Sequence, residues 1–370
     1  MKILLTNISF ANYTGTEVVV RDLAAALLRC GHEPIVFSPT VGRIAEEVRG
    51  IGVTVIDDLA LLSQAPDLIH GQHHRALAEA LLRFPDVPAI YICHDATDMR
   101  DEPCFFPRVR RYLAVDERCR LRVERSLGSR AGEIGVMPNA VDLDRFQPRG
   151  PLPLQPRRAV IFSNYADRNT HLKAVEAACR MTGLTLDVIG ERMGTQSATP
   201  ERELPRYDIV FAKARCALEA LAVGNAVVLC DFGGAGPYVR SENLDHLRRM
   251  NFGRGVLTEP LDPKAIARQI RRYDAEDSAK VSRRIRAEAG IESAVAGWIR
   301  LYEEVLSGFD PRDVNRTAEY RAFADYLAVW HYARRMDWEQ QHLARLRTIP
   351  LIGDWTVALA LRAYRRWFQP

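Results

Sequence analysis

Glu219 is a lone carboxylate set among Ala217, Leu218, Ala220, Leu221 and Ala222. A charge on so apolar a helical stretch is costly to bury without a partner, and a nearby helix N-terminus favours its negative sign. A ribose diol offers two hydroxyl donors that would satisfy it; a solvated helix glutamate is the plainer alternative. His94-Asp95 ends the apolar run that starts at Tyr91. Ligands of open parallel sheets lie beyond the carboxyl ends of the strands, so a polar pair at that tip faces a crevice. The competing role is a histidine that caps the next helix. Thr14-Gly15-Thr16-Glu17 falls at a strand-to-helix turn, where a glycine lets backbone N–H groups approach a phosphate. A plain turn glycine fits equally well there.

Other chemistries are excluded by spacing. His73 and His74 are adjacent, so on a helix they point to different faces and make no metal clip. The 7 cysteines have no close pair, neither a zinc pattern nor a disulfide framework, and suit a reduced cytoplasm. The three-glycine nicotinamide fingerprint is absent, which counts against a dehydrogenase.

These residues need alternating strands and helices to position them. Lys2–Thr6 reads as a buried strand and residues 7–16 as a loop. A helix from about Glu17 to Cys30 and a strand at Pro34–Ser38 complete one unit of a parallel sheet. Asp67–His70 and Tyr91–His94 are further strands, whose tips, His70 and His94-Asp95, share one crevice. In the second half Arg158–Phe162, Leu184–Gly190, Ile209–Phe211 and Ala226–Leu229 repeat the pattern. Ala212–Cys216 is the loop before the Glu219 helix, and Gly233-Gly234 is a turn. Residues 108–125 hold seven arginines. They read as a solvated helix face, with an acceptor site for an anionic lipid or glycan as the alternative. The proline-rich stretch 150–156 is a linker, and Ile291–Leu306 is a last helix crossing back toward the first half.

The stretch Tyr207–Val239 resembles the donor-binding segment of the retaining GT-B glycosyltransferases of family four. The family pattern LEA-A-G-PVV, followed by Gly-Gly, is matched by Leu218-Glu219-Ala220, Ala222, Gly224, Asn225–Val228 and Gly233-Gly234. The family carries two glutamates here; Glu219 matches the second, and Phe211 stands where the first contacts sugar hydroxyls. Met137–Pro148 is similar to the family's P-N-G-V-D-x-x-x-F-x-P, with Ala140 for the glycine. The resemblance spans residues 1–306 and implies an α/β GT-B fold: two Rossmann-like domains facing a central cleft. These would be an acceptor domain at 1–150 and a nucleotide-sugar donor domain at 151–306, followed by a helical extension at 307–370. It implies His94 and Asp95 at the reacting centre. Gly15, Thr16, Ser163, Arg168, Lys213, Cys216 and Ala217 would meet the donor, and Glu219 the ribose. A guanidinium grips two diphosphate oxygens at once, so neither a metal nor another cofactor is then required. The implied activity is transfer from a nucleoside diphosphate sugar to a glycan or lipid-linked acceptor. A GT-B epimerase or phosphorylase-like relative, and a decayed transferase that only binds nucleotide sugar or scaffolds glycan assembly, are the rivals.

The chain of 370 residues has 26% charged residues and a formal charge of +4. Residues 311–370 contain ten arginines, no lysine and six carboxylates, so the tail holds the whole surplus and residues 1–310 are neutral. That balance gives no nucleic-acid footprint. MKILLTNISF reads as a first strand and not a signal peptide. The tail interleaves arginine with Trp330, Trp338, Trp355 and Trp367, as amphipathic helices at an anionic bilayer do. A cytoplasmic protein, peripheral to the inner membrane face, follows from that pattern; packing on the protein itself or in a homodimer is the alternative.

Overall fold

The computed structural model describes residues 1–330. One compact unit comprises Met1–Cys104 and Arg108–Val314, and another comprises Phe105–Pro107 with the described residues 315–330.

Apolar runs too short for helices and rich in Val, Ile and Leu become strands, most of them buried on both faces. In the first half these are β1 (Lys2–Thr6), β2 (Glu33–Phe37), β3 (Thr54–Ile56), β4 (Leu68–Gln72), β5 (Ala89–Cys93), β6 (Val109–Ala114) and β7 (Ile134–Val136). Between them run α1 (Gly15–Arg29), α2 (Arg43–Gly50), α3 (His74–Arg83) and α4 (Glu117–Leu127). The strands form one parallel sheet in the order β3-β2-β1-β4-β5-β6-β7. The strand order reverses at β1 and β4, so their carboxyl ends open the crevice where such sheets bind ligands.

The second half repeats the design with β8 (Arg158–Phe162), α5 (Leu172–Thr182), β9 (Thr185–Ile189), α6 (Pro200–Glu203), β10 (Ile209–Ala212), α7 (Ala214–Val223), β11 (Ala226–Asp231) and β12 (Gly234–Tyr238). Its sheet runs β12-β11-β10-β8-β9, and only β12 is antiparallel. Gly234 makes the β11–β12 reversal at φ +145°, where a Cβ would also strike the Leu257 and Glu259 carbonyls. Helices α8 (Leu244–Arg249), α9 (Pro263–Ile270), α10 (Ala275–Glu288) and α11 (Ile291–Ser307) follow. Helix α11 returns to the first sheet: the Tyr302 hydroxyl meets His70 Nδ1 at 2.6 Å and Trp298 packs its ring 4.7 Å from the His70 ring. These two Rossmann-like sheets with their helices, and the helical C-terminal region, are the α/β GT-B fold.

Three local expectations need correction. His70 is not a strand tip, because Gly71 and Gln72 continue the pairing with β5 and leave His70 buried in mid-strand. The arginines of 108–125 do not share a helix face. Arg108 is buried and donates to the carbonyls of Leu81, Phe84 and Val87, Arg110 and Arg111 are exposed on β6, and only the rest lie on α4. The stretch Ala212–Cys216 is not a loop, since α7 begins at Ala214 immediately after Lys213. In the second unit, Phe323 packs at 4.8 Å on Phe106, whereas Tyr320 and Leu327 are exposed. The tail residues Trp338, Trp355 and Trp367 lie outside the described residues.

Gly190 follows β9 with no room for a side chain: a Cβ there would lie 2.0 Å from the Ser163 carbonyl oxygen. Gly190→Ala should therefore displace the β8 tip and destabilise the chain by about 1–3 kcal/mol. Gly150→Ala, where nothing lies within 4 Å, should leave the melting temperature unchanged. Thermal unfolding of the two variants checks this.

Candidate active site

The carboxyl ends of both sheets open into one cleft of about 710 Å³. Gly15 and Thr16, at the start of α1, line it from the first half. Ser163 after β8, and Lys213 to Cys216 at the start of α7, line it from the second. The N-termini of two helices thus open into the same space, each with its positive dipole end.

Local chemistry holds these pieces. The Glu17 carboxylate is buried, yet it accepts from the Ser9 hydroxyl at 2.9 Å and from the Ala11, Asn12 and Thr14 amides at 2.9, 3.3 and 3.0 Å. It therefore shapes the loop that delivers Gly15. On the other side Asp231 is fully buried at the end of β11. It accepts from the Ser163 hydroxyl at 3.0 Å and pairs with Lys213 Nζ at 3.0 Å. Lys213 also lies 5.2 Å from the centre of the Tyr165 ring.

His94 lies just past β5 and lines the cleft. Its Nε2 is buried with no hydrogen-bond partner among the described residues. Burial first, and then the neighbouring imidazoles and Arg215, press its pKa down to about 3, so the ring is neutral. Asp95 also lines the cleft, but its Oδ1 is occupied by the Thr97 amide and hydroxyl, both at 2.7 Å, and by the Asp98 amide at 3.1 Å. Burial pushes its pKa up, but those donors outweigh it and hold the carboxyl below its ordinary value.

Glu219 lies in the second turn of α7, buried in the cleft wall. Its partner is Arg215, one turn earlier, whose Nη2 lies 2.7 Å from Glu219 Oε1 and 2.7 Å from Asp22 Oδ2 on α1. Of the two carboxylates, Asp22 also holds Arg21 at 2.7 Å. Burial raises the pKa of both, but two cations bring Asp22 below its ordinary value, while Glu219 stays raised.

Two expected residues are not on the wall. Arg168 is exposed and outside the cleft, because the 163–170 segment turns it to solvent. Ala217 is buried beneath α7, facing the core of the second sheet. Cys216 does line the cleft, and burial pushes its thiol up to about 12. Three residues were missed. Arg215 opens the first turn of α7, Arg192 lines the cleft paired with Asp167 at 3.0 Å, and Asp101 is a buried cleft carboxyl accepting from the His94 amide at 3.3 Å. Burial drives the Asp101 pKa up to about 7. Only the run of polar residues after β5 hinted at Asp101. Among the described residues, no group of three or more His, Cys, Asp or Glu is arranged to hold a metal ion, and no helix is long and apolar enough to cross a membrane.

Comparison with known proteins places the architecture. Residues 13–145 match Glycosyltransferase Family 4. Among solved structures, a glycosyltransferase from Rickettsia africae ESF-5 superposes with TM-score 0.59 at 13% identity, over 83% of this chain and 99% of that one. Anabaena Alr3699/HepE in complex with UDP and glucose gives 0.59 at 15% identity, over 84% and 100%. The sucrose-phosphate synthase of Thermosynechococcus elongatus gives 0.58 at 15%, over 83% and 99%. No curated protein matches the chain.

The buried histidines make stability depend on pH. Burial, the largest cause, holds His70 and His94 near about 3 and His73 and His74 near about 4. The unfolded chain protonates all four from about pH 6.5 downward, so their neutral burial costs stability increasingly as pH falls. Asp101 works the other way, since the folded chain keeps a proton near neutrality that the unfolded chain has lost. Near pH 5 the unfolded state thus binds about three more protons, and stability should fall by at most about 4 kcal/mol per pH unit. Urea midpoints from pH 7 to pH 5 measure this; a constant midpoint would contradict it.

Proposed function

We propose that this GT-B glycosyltransferase moves a sugar from a nucleoside diphosphate sugar to a glycan or lipid-linked acceptor, with retention and without a metal. The carrying observation is the convergence of the α1 and α7 N-termini on one cleft, with Lys213 beside them. Two helix dipoles and a cation suit a diphosphate, and fixed positive groups aimed at developing leaving-group charge are usually the largest catalytic contribution. Arg215 spends only Nη2 on its carboxylates, so Nε and Nη1 remain to meet an anionic oxygen. The complex of Alr3699/HepE with UDP and glucose supports a nucleotide-sugar donor.

The roles follow from this placement. Glu219 gives Oε1 to Arg215 and keeps Oε2 for a ribose hydroxyl. Neutral His94 presents Nε2 to a sugar or acceptor hydroxyl beside the bond that breaks. Asp95 holds the 95–98 turn, which carries the cleft wall next to it. As the anomeric carbon leaves the diphosphate for the acceptor hydroxyl, the bonding pair stays on the diphosphate, a departing phosphate oxygen takes up the hydroxyl proton, and Lys213 and the helix N-termini neutralise the remaining charge.

The arginine-rich tail supports a cytoplasmic protein that contacts an anionic bilayer, where a lipid-linked acceptor would be held. Deleting residues 331–370 should abolish flotation with anionic vesicles at low salt. Flotation equal to that of the full chain would refute the membrane role.

Lys213→Met should weaken nucleoside diphosphate binding by about 1.5–3 kcal/mol, the range for hydrogen bonds to charged groups. Calorimetric titration reads this directly. His94→Ala should lower turnover at saturating donor far more than it lowers donor affinity, the pattern of an interaction made in the transition state. Unchanged turnover would remove His94 from the reacting centre.

A further inference from the structure

We infer that the mouth of the cleft holds a subsite for an acidic saccharide, a sugar bearing a carboxylate or phosphate, which serves as the acceptor; this rests on the transferase reading above. Most arginines lining the cleft are neutralised. Arg21, Arg100, Arg145, Arg192 and Arg215 each pair with a carboxylate at 2.6–3.0 Å. Arg118 and Arg254 have no carboxylate within ion-pair distance among the described residues. Arg254 Nη1 donates only to the Thr97 hydroxyl, at 3.2 Å. The two are neighbours: the Arg118 Cδ fills the space where a Cβ on Gly255 would lie, 2.7 Å away. The nearby Asp95 and Asp116 carboxylates accept backbone N–H donors, from Thr97 and Asp98 and from Cys119.

Beside this pair stand two aromatic rings that a folding core would have covered. Tyr165 is 42% and Phe232 38% exposed, with centroids 5.1 Å apart, and Arg254 lies 4.8 Å over the Phe232 ring. Aromatic faces stack on the C–H face of a pyranose, and unpaired guanidinium forks take up carboxylate or phosphate in a bidentate way. Backbone strain fixes the arrangement. Asn251 and Phe252, which precede Arg254, both adopt φ +50°. The Phe252 carbonyl accepts from the Ala214 amide at 2.8 Å, and the Asn251 side chain accepts from the Asn139 amide at 3.2 Å. Non-glycine residues held in this region cluster at ligand sites, where surrounding bonds over-determine them. Lys213, held by Asp231 at 3.0 Å, and the two helix starts stand at the donor end of the cleft, which leaves the unpaired Arg118 and Arg254 for a charge on the other sugar.

The test is calorimetric titration of the full chain with tetragalacturonate, mannose 6-phosphate and neutral cellotetraose, in parallel with a panel of nucleoside diphosphates. At least one acidic probe should bind about tenfold or more tightly than cellotetraose, and weaken as salt rises. Binding by tetragalacturonate alone marks a carboxylate ligand, and by mannose 6-phosphate alone a phosphate. The double variant Arg118→Gln/Arg254→Gln should lose that preference while melting temperature and nucleoside diphosphate affinity stay as in the parent. Equal binding of acidic and neutral probes, binding of none of them, or full acidic affinity in the double variant would overturn the subsite. Failure of every nucleoside diphosphate to bind the parent chain would instead strike the transferase reading.

Discussion

One guanidinium, that of Arg215, lies between two buried carboxylates on the two helices whose N-termini open into the cleft: Asp22 on α1 and Glu219 on α7. Removing one partner from such a buried set leaves an uncompensated charge, at a cost of about 3–5 kcal/mol. The set therefore ties the start of α7 to the body of α1. The arrival of both helix N-termini at one cleft depends on that tie. It also determines what Glu219 can do, since one carboxylate oxygen is engaged and the other is open.

The α7 start that makes this possible is itself unusual. Ala214 sits at φ +48°, a conformation that a residue with a Cβ adopts at a cost. Its amide donates to the carbonyl of Phe252, another left-handed residue, so the two strained turns hold each other. His73 is left-handed as well, and like Ala214 and Asn251 it lines the cleft. All four non-glycine residues with positive φ among those described thus lie at the cleft or adjoin it. The core strands have no such residues.

Local patterning was sufficient for the sheets. Lys2–Thr6 and Arg158–Phe162 are the strands their apolar runs predict, and Gly233-Gly234 is the expected turn, because those signals are contained within a few residues. The cleft lining was legible where a residue's position depends on a strand tip, as for His94 and Ser163, or on a helix start, as for Gly15. It was illegible where a distant partner decides. Nothing near Arg215 announces Asp22, which lies 193 residues away, and without that partner the polar segment 212–216 reads as loop. Arg108 misled for the same reason: three carbonyls from a separate segment bury a side chain that looks like solvated surface. Arg168 failed in the opposite sense, because a matching residue type at nearly the matching position says nothing of which way the loop between β8 and α5 turns it.

The central claim is that the cleft catalyses transfer and does more than hold a nucleotide. It is tested most directly by incubating the full chain with a panel of nucleotide sugars, with and without acidic oligosaccharide, and measuring release of nucleoside diphosphate. The account predicts release from at least one donor, accelerated by the acceptor, with the new glycosidic bond in the donor's anomeric configuration. Tight nucleotide-sugar binding with no release from any donor would contradict it, and would make the chain a binding protein built on a transferase fold.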